Sequence, residues 1–291
     1  MIEEPLYEYL CNNEQLSSLL AKYDEGEPAI FHQFAPKDTD DKWDGIHFPR
    51  IVYDIDKSGD VERKTSGRLY VDITCSDESE TALPEDIEKL LRDLIDGYFF
   101  VVDGMTYAVK WESTDGFDNE ASNKVYGLTV TFSLLAFPKQ NTAEPDTVAL
   151  MNSWAQAFFP DAIIINVSET DSVFKPTDEK PAIYWSFQGI SESPMPSIHF
   201  CTWLQSNLNM HVIAPSEVVR SSVVTQAVQE LAEKTRVLWP DKSQYMIHRV
   251  LMTMAADPIR VGQLTVQGSF ALVKQQATGT PLKNIITTIK E

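Results

Sequence analysis

The densest run of metal-capable oxygens in the chain is Asp54-Ile55-Asp56-Lys57-Ser58-Gly59-Asp60-Val61-Glu62. Counted as a calcium loop, it places oxygen side chains at positions 1, 3, 5, 7 and 9 and glycine at 6, the spacing that wraps a single divalent cation. Position 12, where a bidentate glutamate closes the coordination shell, is Thr65, and the flanks read as strands where a calcium hand needs helices. A polar Lys-Ser-Gly tip between two β runs is hairpin chemistry, so the sequence predicts a turn that needs no metal. Asp38, Asp40, Asp41 and Asp44 make a second acidic cluster, which reads as solvated surface because like charges so close together repel. His32, His47, His199, His211 and His248 are scattered, with no ligand pair at helical spacing, and each reads as a packing residue. Neither a Gly-x-Ser-x-Gly elbow nor a glycine-rich phosphate loop occurs. Carboxylate pairs for acid–base work can be picked anywhere among 43 acids, so their presence decides nothing. No catalytic, cofactor-binding or metal residue is assigned, and no cofactor is expected.

What the elements must position is therefore surface. The stretch Pro138 to Asp146 combines two prolines with small polar residues and no apolar periodicity, as a short linker does. Each side of it repeats one order of elements. A helical pattern at Leu6, Tyr7, Leu10, Leu16, Leu19 and Leu20 matches one at Val148, Leu150, Met151, Trp154, Ala155 and Phe158, the latter after Asp146 as N-cap. Short β runs at 29–34 and 162–167 follow, then β runs entered through proline, Pro49-Arg50-Ile51-Val52-Tyr53 and Pro181-Ala182-Ile183-Tyr184-Trp185. A third strand is expected at 67–74 and at 198–204, and then an amphipathic helix carrying Ile87, Leu90, Leu91, Leu94 and Ile95 or Val224, Ala227, Val228, Leu231 and Ala232. Closing strands at 107–112 and 125–137 match 245–255 and 260–274, and share Leu128-Thr129-Val130 against Leu264-Thr265-Val266 with serines at Ser133 and Ser269. The sequence thus predicts an α+β chain of two tandem modules, 1–140 and 146–276, each a mostly antiparallel sheet with two helices on one face, followed by a C-terminal arm, 277–291. The arm carries an apolar alternation at Leu282, Ile285, Ile286 and Ile289 and reads either as a segment for strand addition or as a frayed terminus.

Composition narrows the partners. The chain of 291 residues carries a net charge of −19, which opposes tight binding to nucleic acid because that affinity comes from Lys and Arg neutralising phosphates. Six Trp and ten Tyr could stack bases, but stacking also needs a basic groove. Residues 1–145 hold 13 Lys+Arg against 30 Asp+Glu, and residues 146–291 hold 11 against 13, so the acidity belongs to the first half. No segment approaches the roughly 18 uninterrupted apolar residues of a membrane span, and the first residues lack a signal-peptide pattern. Cys11, Cys75 and Cys201 are odd in number and widely spaced, as reduced packing thiols of a cytosolic chain would be, and Asn166-Val167-Ser168 lies in an apolar run unsuited to glycosylation.

The layout, with Pro49-Arg50-Ile51-Val52-Tyr53 and Pro181-Ala182-Ile183-Tyr184-Trp185 at corresponding places, resembles the tail terminator (tail completion) proteins of tailed bacteriophages. The resemblance implies a structural protein of the virion neck, made in the host cytoplasm, whose hexameric ring stops tail-tube growth. That ring would dock on the head-completion or connector protein, with DNA only as cargo passing through and no membrane partner. The chain departs from the usual single module, so six copies would make a double-layered or enlarged ring, or one module would form the ring and the other decorate it. The alternative reading is a cytosolic enzyme or adaptor whose site is assembled from distant residues.

Overall fold

The computed structural model describes residues 2–57, 67–77, 82–118, 125–140, 144–198, 200–254 and 257–273. The first half runs α1 (Glu3–Cys11), α2 (Glu14–Leu19), β1 (Lys22–Tyr23), β2 (Glu27–Pro28), β3 (Ile30–His32), β4 (Arg50–Lys57), β5 (Gly67–Ser76), α3 (Pro84–Ile95), β6 (Phe99–Val102), β7 (Met105–Asp118) and β8 (Val125–Phe137). The second runs α4 (Thr147–Phe158), β9 (Ile163–Ile164), β10 (Val173–Phe174), β11 (Ala182–Glu192), β12 (Cys201–Ile213), α5 (Glu217–Lys234), β13 (Arg236–Leu238), β14 (Gln244–Met252) and β15 (Leu264–Val273). The expected arm, 277–291, lies outside the described residues.

Among the described residues, β1 and β2 form a small ribbon of their own and the remaining strands form two sheets. Strand order is β6-β7-β8-β5-β4-β3 in the first, with β10 added outside β6, and β13-β14-β15-β12-β11-β9 in the second. The two orders are the same. β3 with β4 and β9 with β11 are parallel, and every other pairing is antiparallel. Register makes the correspondence residue by residue: Val71 faces Val130 and Leu208 faces Val266. The cross-strand bond from Thr129 Oγ1 to Asp72 (2.6 Å) recurs between Thr265 and Asn209 (2.8 Å). In each half one residue bulges from the strand beside β8 or β15, Glu112 between Trp111 and Ser113 and His248 between Ile247 and Arg249, at the same place in the register.

In each half the helices cover one face. Leu6, Leu10, Leu16, Ile87, Leu91 and Ile95 pack on Val71, Ile73, Val130 and Phe132. Met151, Ala155, Val224, Ala227 and Leu231 pack on Trp185, Leu208, Met210 and Val266. The cores reach the same end by different fillings. Leu69, facing Phe132, becomes Ser206, facing Gly268, and the space is filled from the next strand, where Tyr245 stands in the place of Val109. Tyr245 is fully buried, and its hydroxyl lies 2.9 Å from Ser206 Oγ.

Several sequence expectations change. The single opening helix of the first half is two helices, because Asn13 adopts extended backbone and its side chain accepts the Leu16 N–H at 2.9 Å, capping α2. The strand expected at 198–204 is β12, reaching Ile213, since Leu208, Met210 and Val212 continue the buried alternation past the intervening polar residues. The edge strands β6, β10 and β13 were not anticipated. Nor are the two proline entries in register. Ile51 faces Ile73 and Trp185 faces Met210, so Ile51 corresponds to Trp185 and the prolines stand two residues apart.

Candidate functional surfaces

Asp54 and Asp56 are exposed on β4, facing Tyr70 and Arg68, while Ser58 to Glu62 lie outside the described residues. The loop holding Asp38, Asp40, Asp41 and Asp44 is more structured than an acidic cluster suggests, because it folds around buried Trp43. The indole N–H donates to Lys37 O at 3.0 Å, and Tyr23, Phe31 and His47 place their rings 5.0 to 5.7 Å from Trp43. Arg50 crosses over Phe48 at 4.5 Å and binds Asp38 at 2.6 Å, and Asp40 accepts from Lys42 N–H at 3.1 Å. Asp41 and Asp44 remain exposed.

The described histidines do not converge. His32 lies against the Tyr53 ring, His248 is the exposed bulge residue of β14, His199 lies outside the described residues, and buried His211 places Nδ1 3.0 Å from Pro258 O. Cys11, Cys75 and Cys201 are free thiols, and burial pushes Cys75 up to about 12. Among the described residues no group of three or more His, Cys, Asp or Glu side chains could hold a metal ion, and no helix is long and apolar enough to cross a membrane.

The most elaborate constellation is the junction between the halves, which sequence reasoning missed. Phe99, Ala108, Leu135 and Phe137, on the face of the first sheet away from its helices, pack against Ile165, Ala182, Tyr184, Ile213 and Ile259. The linker is fastened to the second half, with Tyr184 Oη donating to Pro138 O at 2.8 Å and Gln140 Oε1 accepting from Phe187 N–H at 3.2 Å. Beside this seam the bulge turns Glu112 toward Arg260 (3.2 Å), Arg68 (3.3 Å) and the buried hydroxyl of Ser133, which donates to it. Lys110 pairs with Asp257 at 2.6 Å. The Ser133 hydrogen bond, then Arg68 and Arg260, hold the Glu112 carboxyl below its ordinary value despite partial desolvation. No local motif marks this network, since Glu112 and Arg260 are 148 residues apart.

The edge of the first sheet is completed by the second half. Val173 and Phe174 of β10 pair with Phe100 and Phe99 of β6, Val101 N–H donates to Ser172 O at 2.8 Å, and the Phe99 and Phe174 rings stack at 5.2 Å. Two cavities flank the seam. One, of about 390 Å³, is lined by Lys110, Lys175, Arg220, Asp96 and Asp257 among others. Its cations are engaged, Lys110 with Asp257, Lys175 over Tyr98 and Arg220 on the Ala214 and Pro215 carbonyls. The other, of about 380 Å³, includes Trp185 Nε1 and Asn152 Oδ1, buried without partners among the described residues, a donor and an acceptor that ordered water can serve. What this arrangement can do is hold the two halves together through packed sheet faces, a strand lent by the second half to the edge of the first sheet, and partly exposed ion pairs. No family model matches the chain, and no curated protein matches its sequence significantly.

Proposed function

We propose that this chain is a structural neck protein of a tailed phage or phage-derived tail, a two-module tail terminator that assembles into a ring and catalyses no reaction. The observation that carries the reading is the strand joint between the halves. Modules of this fold are already linked by adding a strand from one to the edge of the next, and repeated addition between copies gives a ring where the rotation per copy divides a full turn and an open filament where it does not. The ring is hexameric, caps the tail tube, and presents its other face to the head-completion or connector protein. The charge split fits passage of DNA as cargo. A channel or rim lined by acids of residues 1–145 repels the duplex and lets it slide, while the near-neutral second half supplies more of the protein contact.

Native mass spectrometry and negative-stain imaging of the full-length protein test this reading. The expected outcome is a six-fold particle with a central opening, which adds to purified tail tubes at one end. A protein that stays monomeric at tens of micromolar and leaves tube length unchanged would refute it.

A further inference from the structure

The register that equates the two halves also equates their outer edges. Glu112 and His248 are the matching bulges, so Ala108 matches Gln244, and their partners Phe99 of β6 and Leu238 of β13 match each other. The segment that covers β6 lies in the connection from β9 to β11, and its counterpart in the first half is the connection from β3 to β4, residues 33–49. Among the described residues only one of these two relationships is fulfilled. The outer edge of β6 carries β10, whereas the outer edge of β13 carries no strand among the described residues, and Leu238 is 51% exposed.

We propose that copies of this protein join head to tail, with the exposed apolar side chains of connection 33–49 of one copy packing over the outer edge of β13 of the next, the edge that corresponds to the one β10 covers on β6. The proposal rests on the duplication and uses the ring reading only for closure. A second copy is required because the two surfaces lie at opposite ends of the chain. Connection 33–49 enters and leaves at β3 and β4, five and four strand spacings from β6, or roughly 19–24 Å across the sheet. β13 lies at the far edge of the second sheet from β9 and β11, whose residues face the junction.

The chemistry of the two surfaces is complementary. Connection 33–49 holds Phe34, 83% exposed, and Ile46, 58% exposed, apolar side chains of the kind that Val173 and Phe174 place on β6. It also presents Asp41 and Asp44, while the region of β13 and β14 presents exposed Arg236, Lys242 and Arg249, with Asp241 engaged by Ser243. One difference sets the strength of the joint. Pro240 stands where Val101 donates to Ser172, so β13 withholds that hydrogen bond and offers the backbone of Arg236 and Leu238. The joint between copies is therefore shorter than the one within a chain and reversible on dilution.

The test uses full-length Phe34→Cys, Ile46→Cys and Leu238→Cys variants, mixed pairwise under mild oxidation with the parent protein as control. Disulfide-linked dimers are expected when Leu238→Cys is mixed with one or both connection variants, and not in any variant alone. In parallel, Arg236→Glu with Arg249→Glu should raise the self-association constant for dissociation about tenfold through like-charge juxtaposition, and Asp41→Lys with Asp44→Lys should restore it. Cross-links in Leu238→Cys alone would show a symmetric edge pair and overturn the proposal. Oligomers without any mixed cross-link would overturn it while leaving the ring reading intact, and monomers under all conditions would overturn both.

Discussion

Glu112 shows how one extra residue in a strand can serve two sheets. The bulge takes it out of the alternation of β7, and from there its carboxylate accepts from Ser133 and meets Arg68 of its own sheet and Arg260 of the other half. Its folded pKa lies below the ordinary 4.5, so its contribution to stability is complete at neutral pH and is lost as pH falls below that value toward the folded one. Glu112→Gln should therefore lower the midpoint of urea unfolding at pH 7 and flatten its fall between about pH 5 and pH 3. An unchanged acid slope would mean that the carboxylate is not the linked group. Nothing in the sequence announces this residue, because bulges have no composition of their own and its partners come from elements that meet only in the folded chain.

At the level of elements, much was legible where pattern and cap agree. Asp146 accepts from the Val148 and Ala149 N–H groups at 2.9 and 3.0 Å, and α4 begins where the apolar spacing places it. β6 left a signal as well, since Tyr98 to Val102 is apolar and Asp103-Gly104, both at positive φ, turns it directly into β7. β10 and β13 left little, because strands of two or three residues carry no period and exist by virtue of the edge they pair with. The Pro-x-Ile repeat misled by two residues because β9 pairs with Ala182 and Ile183, ahead of Trp185, whereas β3 pairs from Ile51, the residue that corresponds to Trp185. The exchanged core filling gives a sharper test of the duplication. A Cβ on Gly268 would lie 2.5 Å from the Tyr245 ring, so Gly268→Ala should cost about 1–3 kcal/mol. The triple change Ser206→Leu, Tyr245→Val and Gly268→Phe, which installs the first half's set, should be less destabilising than Gly268→Phe alone. Equal or greater loss in chemical denaturation would show that the correspondence is one of backbone only.

For the whole molecule, the junction decides whether the halves behave as one body. Phe137 is fully buried in it, with the Phe99 and Tyr184 rings 5.4 and 5.1 Å away. Phe137→Ala should cost about 3–5 kcal/mol and divide a single calorimetric unfolding transition into two. A uniform shift of one transition would place the coupling in the ion pairs and β10 instead. That two similar sheets were present could be read from element order, whereas their contact through faces turned away from the helices could not, since Phe99, Leu135 and Phe137 look like any other strand interior in the sequence. The strand that β10 adds also orders events during synthesis. β6 leaves the ribosome 72 residues before Phe174 does, an interval of roughly 4–14 s at ordinary elongation rates of 5–20 residues per second. For that time the nascent first half carries an uncovered edge headed by Phe99 and Phe100, a window for chaperone capture or for mispairing between neighbouring chains on one messenger, which closes only when its own second half arrives.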